Sequence, residues 1–155
     1  MKKIDIGQTI QVLANLAVLG GIVFLGVEVQ QNTRTVQAAA VQDSIEIGRQ
    51  MLLLYGSDAE TNRIVYVGGE DLSRLTPEEQ QRYRWLLRAF LTGMQGLFRQ
   101  WQLGVLPDED WSVWSQTTCR TAATPSFLGL WDETKEGLTP AFIAYVESSC
   151  AVFRQ

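Results

Sequence analysis

The sequence predicts an all-α protein in which a single N-terminal transmembrane helix continues into a long amphipathic helix, followed by a small helical bundle. Three observations predict this fold class. No charged residue lies between Asp5 and Glu28. From Val29 onward, apolar residues recur at steps of three and four, the spacing of one helix face. Threonine-proline pairs in the form of helix starts follow at three places: Thr76-Pro77, Thr124-Pro125 and Thr139-Pro140.

The apolar stretch 6–27 is long enough to cross a bilayer as a helix. At ~1.5 Å per residue it spans ~33 Å, against ~30 Å for the hydrocarbon core. A cleaved signal peptide is one alternative, but no Ala-x-Ala cleavage site lies near its end. A buried core helix is the other, and core helices apolar on every face are rare. We therefore predict a short cytoplasmic segment at 1–5, the transmembrane helix at 6–27, an amphipathic helix leaving the membrane at 28–56 and a bundle domain at 57–155.

The basic residues beside the span predict its orientation. Lys2 and Lys3 precede it, whereas Arg34 alone follows closely, and the side richer in Lys and Arg faces the cytoplasm. We expect a bacterial inner-membrane protein with a cytoplasmic N-terminus and a periplasmic C-terminal domain. In that oxidising compartment Cys119 and Cys150 form a disulfide or remain two buried thiols, and their spacing does not decide which.

An apolar stripe runs along the segment after the span. Since no helix breaker separates the two, we expect one continuous helix that ends at 56–58. A stripe at this spacing needs a cover from its own domain or from a partner. Its members are Val36, Ala40, Val41, Ile45, Gly48, Met51, Leu52 and Tyr55.

A short helix and a long helix come next. Asp58 is the expected N-cap of the short helix, which runs through Val67 and is terminated by Gly68-Gly69. The Thr-Pro-Glu-Glu segment at 76–79 predicts a capping box on the long helix, which ends at Gly104. The stripe of the long helix predicts the bundle core: Tyr83, Leu87, Phe90, Met94, Leu97 and Trp101.

Three further helices complete the predicted bundle. The first opens at Pro107-Asp108 and the other two at the second and third threonine-proline pairs. They carry, helix by helix, Trp111, Trp114 and Thr118 on one face; Phe127, Leu128 and Trp131; and Phe142, Tyr145, Val146, Cys150 and Phe153. Of these, Trp111, Trp114 and Trp131 are expected to fill the core.

No catalytic, metal-binding or cofactor-binding motif occurs in the sequence. Histidine, a common general base and metal ligand, is absent, and there is no Cys-x-x-Cys or phosphate-binding glycine loop. After the span, eleven Lys and Arg oppose sixteen Asp and Glu, a balance that disfavours nucleic acid. We expect no catalytic residue, no metal, no cofactor and no nucleic-acid partner.

Glu78 is expected to pair with Arg82 one turn further on.

Four segments resemble a widespread group of short, membrane-anchored bacterial helical proteins. They are the Gln-Gln-Asn turn at 30–32, Leu-Thr-Pro-Glu-Glu at 75–79, Gly-Val-Leu-Pro-Asp-Glu-Asp-Trp at 104–111 and Leu-Thr-Pro-Ala-Phe-Ile-Ala-Tyr-Val at 138–146. The resemblance covers nearly the whole chain and implies a single-span anchor with a helical domain. It carries over no catalytic residue, because the shared motifs are helix caps and core aromatics. The aromatic-polar run usual in the group is altered here at 94–99.

Two kinds of function fit these features. The first is a non-enzymatic accessory, scaffolding or assembly subunit of a larger inner-membrane complex, for example a respiratory or photosynthetic one. The alternative is a membrane-tethered helical enzyme or sensor domain that binds a small ligand in an aromatic pocket, which carboxylates of raised pKa would favour.

The span carries features that an isolated anchor does not need. Gln11 and Asn15 are polar, and Ala17 and Gly21 form part of a small-xxx-small face on another side. We predict that this helix packs against another transmembrane helix through these four residues. The expected partners are membrane lipid and either another transmembrane protein or a second copy of this chain.

Overall fold

The computed structural model describes residues 6–154, and helices account for nearly all of that stretch. Within it no strand occurs, so the all-α prediction is confirmed. The predicted cytoplasmic segment 1–5, with Lys2 and Lys3, lies outside the described residues. The α-helices are α1 Ile6–Ser57, α2 Ala59–Glu70, α3 Pro77–Gln102, α4 Asp108–Ala122, α5 Pro125–Lys135 and α6 Pro140–Ser149, with 3₁₀ turns at Leu72–Arg74 and Ala151–Arg154.

Helix α1 is unbroken, as expected from the lack of a helix breaker, and contributes to two units of the chain, Met1–Ala39 and Ala40–Gln155. In the first unit its apolar side chains are exposed, including Leu13 at 61% and Phe24 at 65%. By length and composition this helix is able to span a membrane, although a signal sequence meets the same two criteria. Because none of its most apolar window is buried, it is not a core helix of this chain.

The last third of α1 packs in the second unit through part of its predicted apolar stripe. Ala40 and Ser44 are buried there, and the Ser44 hydroxyl donates to the Val41 carbonyl at 2.8 Å. Ile45 and Leu52 of the stripe are exposed, so this chain does not cover them, and a cover from a partner stays a prediction. Both lie about 100° around the helix from Ala40–Ser44, because periodicity marks apolar residues without showing where the covering helices lie.

The paired glycines of α2 serve close packing and do not end the helix. Helix α2 continues through Gly68 and Gly69 to Glu70, and both glycines are buried. A Cβ on Gly68 would lie 2.6 Å from Cδ2 of Tyr83 and 2.9 Å from Cδ1 of Leu75. The prediction of a glycine terminator was therefore wrong, since only glycine lets α2 approach α3 this closely.

The first two helix caps are as predicted. The Asp58 carboxylate accepts from the backbone N–H groups of Glu60 and Thr61 at the start of α2. At the start of α3, Thr76 and Glu79 form the complete capping box. Helices α5 and α6 also begin at threonine-proline pairs, but there the threonine side chains make no capping bond.

The core of the second unit surrounds α3. Five of the six predicted stripe residues are buried, and Trp101 is half-buried. Leu91 and Phe98 are also buried, and Phe98 lies within 6 Å, ring centre to ring centre, of four other aromatic rings. In α5, Leu130 and Trp131 are buried, and Leu128 is exposed. The four rings around Phe98 belong to Trp101, Trp111, Phe142 and Tyr145.

Arg82 joins α3 to α2 and does not pair with Glu78 as predicted. Its Nη2 lies 3.1 Å from Oδ2 of Asp58, and its Nη1 lies 3.1 Å from Oε1 of Glu60. The guanidinium therefore links the start of α2 to α3, because two carboxylates of α2 converge on it.

Candidate functional site

An apolar cleft opens in the second unit between the end of α1 and helices α2, α3 and α4. It encloses about 400 Å³, within the ~300–1,000 Å³ usual for small-molecule sites. Met51 and Tyr55, about one turn apart on α1, face Leu87 and Phe90 of α3 and Trp114 of α4 across it. Helices α1, α3 and α4 each contribute residues three or four apart, as one face of a helix does, and α2 contributes Val65.

Glycines of α1 and α3 lie beside the cleft, and at Gly48 of α1 the approach of α4 leaves no room for a Cβ. A Cβ on Gly48 would lie 2.8 Å from Cη2 of Trp114, and a Cβ on Gly93 would lie 3.6 Å from Cε of Met51. The Trp114 ring therefore packs directly against the α1 backbone. At Gly48 any larger residue would displace that ring and change the shape of the cleft.

The ionisable groups in the cleft are two tyrosines. Burial raises the pKa of Tyr55 above its usual value. Burial also raises the pKa of Tyr83, an effect that hydrogen bonding with the Thr124 side chain opposes and the neighbouring Tyr55 reinforces. Both hydroxyls are therefore neutral near pH 7 and act as hydrogen-bonding groups.

The threonines of the cleft leave little further polarity. The Thr117 hydroxyl donates to the Val113 carbonyl at 3.0 Å, and the Thr121 hydroxyl donates to the Thr117 carbonyl at 3.1 Å. None of the residues that the structure places in the lining is charged. The cleft can thus hold an apolar molecule, but its side chains offer no acid or base that exchanges protons near neutral pH.

The mouth of the cleft is apolar as well. Leu52 of α1 and Val113 of α4 line it and are themselves exposed, at 74% and 60%. The apolar lining therefore continues outward to the solvent-facing surface.

The predicted span contacts occupy exposed positions of α1. Gln11, Asn15, Ala17 and Gly21 are all exposed, and a Cβ on Gly21 would meet no atom within 4 Å. The described chain brings none of these four to a packed site. Their contact with another transmembrane helix stays a prediction.

The two cysteines are joined. Cys119 of α4 and Cys150 at the end of α6 form a disulfide with their Cα atoms 5.0 Å apart, which is the first of the two alternatives that the sequence left open. The bond closes a loop with a sequence separation of 31 residues. In the chain-entropy model such a loop stabilises the folded state by ~3.7 kcal/mol.

The acidic run Asp108-Glu109-Asp110 makes local contacts. The carboxylates of 108–110 lie in the first turn of α4, where the helix dipole favours negative charge. Asp108 accepts from Nε1 of Trp101 at 2.7 Å. Among the residues that the structure describes, no group of three His, Cys, Asp or Glu side chains could hold a metal ion.

Sequence reasoning missed the cleft. The available signal was a glycine inside each of two amphipathic helices, at Gly48 and Gly93, because such glycines often mark close helix contacts. Periodicity could not show that the four helices diverge beside those contacts and leave a gap.

Comparison of the chain with known protein families, with curated proteins and with solved structures finds no match. The resemblance to short membrane-anchored helical proteins therefore stays a prediction.

Proposed function

We propose that this chain is a non-enzymatic accessory subunit, anchored by one transmembrane helix, that scaffolds or assembles a larger bacterial inner-membrane complex. A respiratory or photosynthetic complex is an example of such a partner. The observation that carries the proposal is the exposed apolar surface of α1 in the first unit. Leaving large apolar side chains in water costs roughly 1.5–3 kcal/mol each, so this surface requires lipid or protein around it.

Glycines in α1 support a protein neighbour within the membrane. A Cβ on Gly20, Gly21 or Gly26 would meet nothing within 4 Å, so packing inside this chain does not require them. Small residues let transmembrane helices approach closely, and polar side chains then hydrogen-bond across the contact for ~0.6–2 kcal/mol. We assign the Ala17–Gly21 face and the side chains of Gln11 and Asn15 to a partner helix or a second copy.

The test replaces Asn15→Leu and Gly21→Ile, singly and together, and follows assembly on native gels after mild detergent extraction. The double variant should migrate as the free protein. Gly20→Ile is the matched control, because Gly20 lies about 100° around the helix from Gly21 and has equally open surroundings. If the double variant still migrates with the complex, the span is only an anchor.

We further propose that the second unit lies in the periplasm. Lys2 and Lys3 favour a cytoplasmic N-terminus, and the Cys119–Cys150 disulfide suits an oxidising compartment. Alkaline phosphatase fused after Gln155 should be active. In a separate test, removing the disulfide by paired Cys→Ser changes should destabilise the bundle by roughly 2–5 kcal/mol. An inactive phosphatase together with a fluorescent cytoplasmic reporter at the same point would reverse the orientation.

A ligand-binding role is the second candidate, and the cleft favours it. Carboxylates of raised pKa in a pocket would favour an enzyme, whereas the ionisable groups of this cleft are tyrosines. We therefore propose binding without catalysis for this site. Filling the cleft by Thr117→Phe should leave the native-gel complex intact if the span alone holds the partner.

A further inference from the structure

We propose that the cleft between α1, α2, α3 and α4 binds a neutral membrane lipid, such as a long-chain alcohol, ester or prenyl compound, with its one polar group at the Tyr55 hydroxyl. This inference rests on the ligand-binding role proposed for the cleft and names its class of ligand, whereas the proposed accessory role depends on the span. The class of ligand follows from the charge, the polar atoms and the mouth of the cleft.

The charge of the lining selects a neutral ligand. No Lys or Arg lines the cleft to bind a phosphate or carboxylate, and no Asp or Glu lines it to bind an amine. Moving an unpaired charge into an apolar site is strongly unfavourable. Phospholipid headgroups, nucleotides and free fatty acids in their charged forms are therefore poor occupants.

The polar atoms select an amphiphile with one hydrogen-bonding group. The threonine hydroxyls donate to carbonyls of their own helix, and the Thr124 side chain lies beside Tyr83, where it acts to lower the pKa of that phenol. Within the described part of the chain, the hydrogen bond between Tyr55 and the Asn62 side chain uses the Tyr55 backbone carbonyl, which leaves the Tyr55 hydroxyl available. A ligand can place one oxygen beside the Tyr55 hydroxyl and a hydrocarbon body against Met51, Phe90 and Trp114.

The walls also disfavour an extended peptide. They consist of side chains on helices, whose backbone groups are already hydrogen-bonded. A peptide would bring one N–H and one C=O per residue into a site with few hydroxyls. A hydrocarbon chain brings none, and it can leave the cleft across the exposed apolar side chains of Leu52 and Val113.

The experiment uses the full chain in phospholipid nanodiscs with a photoreactive, diazirine-bearing dodecanol, followed by peptide mapping. The apolar part of α1 serves as the internal reference for label. We expect additional label at Met51, Tyr55 or Trp114. Excess dodecanol should displace this label, and dodecyl phosphate should displace it at least tenfold less effectively. Label confined to the apolar part of α1, or equal displacement by the phosphate, overturns the proposal.

Two variants separate filling of the cleft from loss of the fold. Thr117→Phe should reduce the cleft label several-fold, and Thr117→Ser is its matched control. Tyr55→Phe keeps the ring and should weaken displacement by dodecanol about three- to tenfold, the loss of one hydrogen bond, with an unchanged near-ultraviolet circular dichroism spectrum. Unchanged label in Thr117→Phe, or unchanged displacement in Tyr55→Phe, contradicts the assignment.

A photo-crosslinking residue at the mouth distinguishes the other occupant. Val113→benzoylphenylalanine in native membranes should give a lipid adduct, because Val113 lies at the rim and is exposed. A polypeptide adduct in its place would replace the lipid by a docked protein segment.

Discussion

The two units of the chain hold the same kinds of apolar residue in opposite ways. In Met1–Ala39, Leu19 and Phe24 are exposed at 59% and 65%, whereas in Ala40–Gln155 Leu97 and Phe142 are fully buried. The type of an apolar residue therefore does not by itself decide whether it is buried within this chain. The second supplies its own apolar surroundings, and the first must find them outside the described chain.

The glycines show the same contrast. Gly20 and Gly21 have open space where a Cβ would be, but a Cβ on Gly48 or Gly68 would clash with an aromatic ring. In the second unit neighbours within the chain require glycine at these two positions, whereas Gly56, Gly96 and Gly129 have open surroundings there too. In the first unit nothing within the described chain requires glycine at 20, 21 or 26, which agrees with the proposal of a neighbouring helix.

The largest effect that could break this comparison comes from a matched pair of phenylalanines. Phe142→Ala should destabilise the second unit by ~3–5 kcal/mol, because Phe142 is fully buried and packs 5.4 Å from Phe98, ring centre to ring centre. Phe24→Ala should leave that unfolding transition unchanged. Urea unfolding of the full chain in detergent, followed by near-ultraviolet circular dichroism, measures both, and similar losses in the two variants would contradict the division.

A matched pair of glycines gives a smaller effect. Gly68→Val should cost roughly 1–3 kcal/mol through overpacking against Tyr83 and Leu75, well above the few tenths gained in helix propensity. Gly20→Val, with open space around it, should not move the unfolding midpoint of the second unit. If Gly68→Val is neutral, α2 and α3 are less tightly packed than described.

The smallest effect is on pH dependence and concerns α2. The Thr61 hydroxyl, the N–H groups of Glu60 and Thr61, and Arg82 lower the pKa of Asp58 below its usual value. The Asp58 carboxyl therefore binds its proton more tightly in the unfolded chain than in the folded one. Its contribution to the stability of the fold is complete above about pH 4 and is lost as the pH falls through the lowered pKa of the folded state. Asp58→Asn, which keeps an N-cap residue, should flatten the loss of stability in acid. If the free energy of unfolding falls with equal slope in acid for both proteins, this role for Asp58 is excluded.

Local signals were sufficient for much of the fold. Asp58 and the Thr76–Glu79 capping box act through atoms within a few residues, so the sequence alone predicts where α2 and α3 begin. The α3 stripe predicts five buried residues because one face of a long amphipathic helix must be covered. The continuity of α1 through Ser57 follows from the absence of a breaker.

Packing between helices decided the rest. The burial of Leu130 but not Leu128, the pairing of Arg82 with α2, and the role of Gly68 depend on which helix lies opposite. The cleft depends on four helices at once, so no single stretch of sequence contains it. The sequence by itself determined the helices and their apolar faces, because caps and periodicity are local. Only the tertiary structure decided which faces meet, which glycines are contacts and where a gap remains, because those depend on distances between residues far apart in the chain.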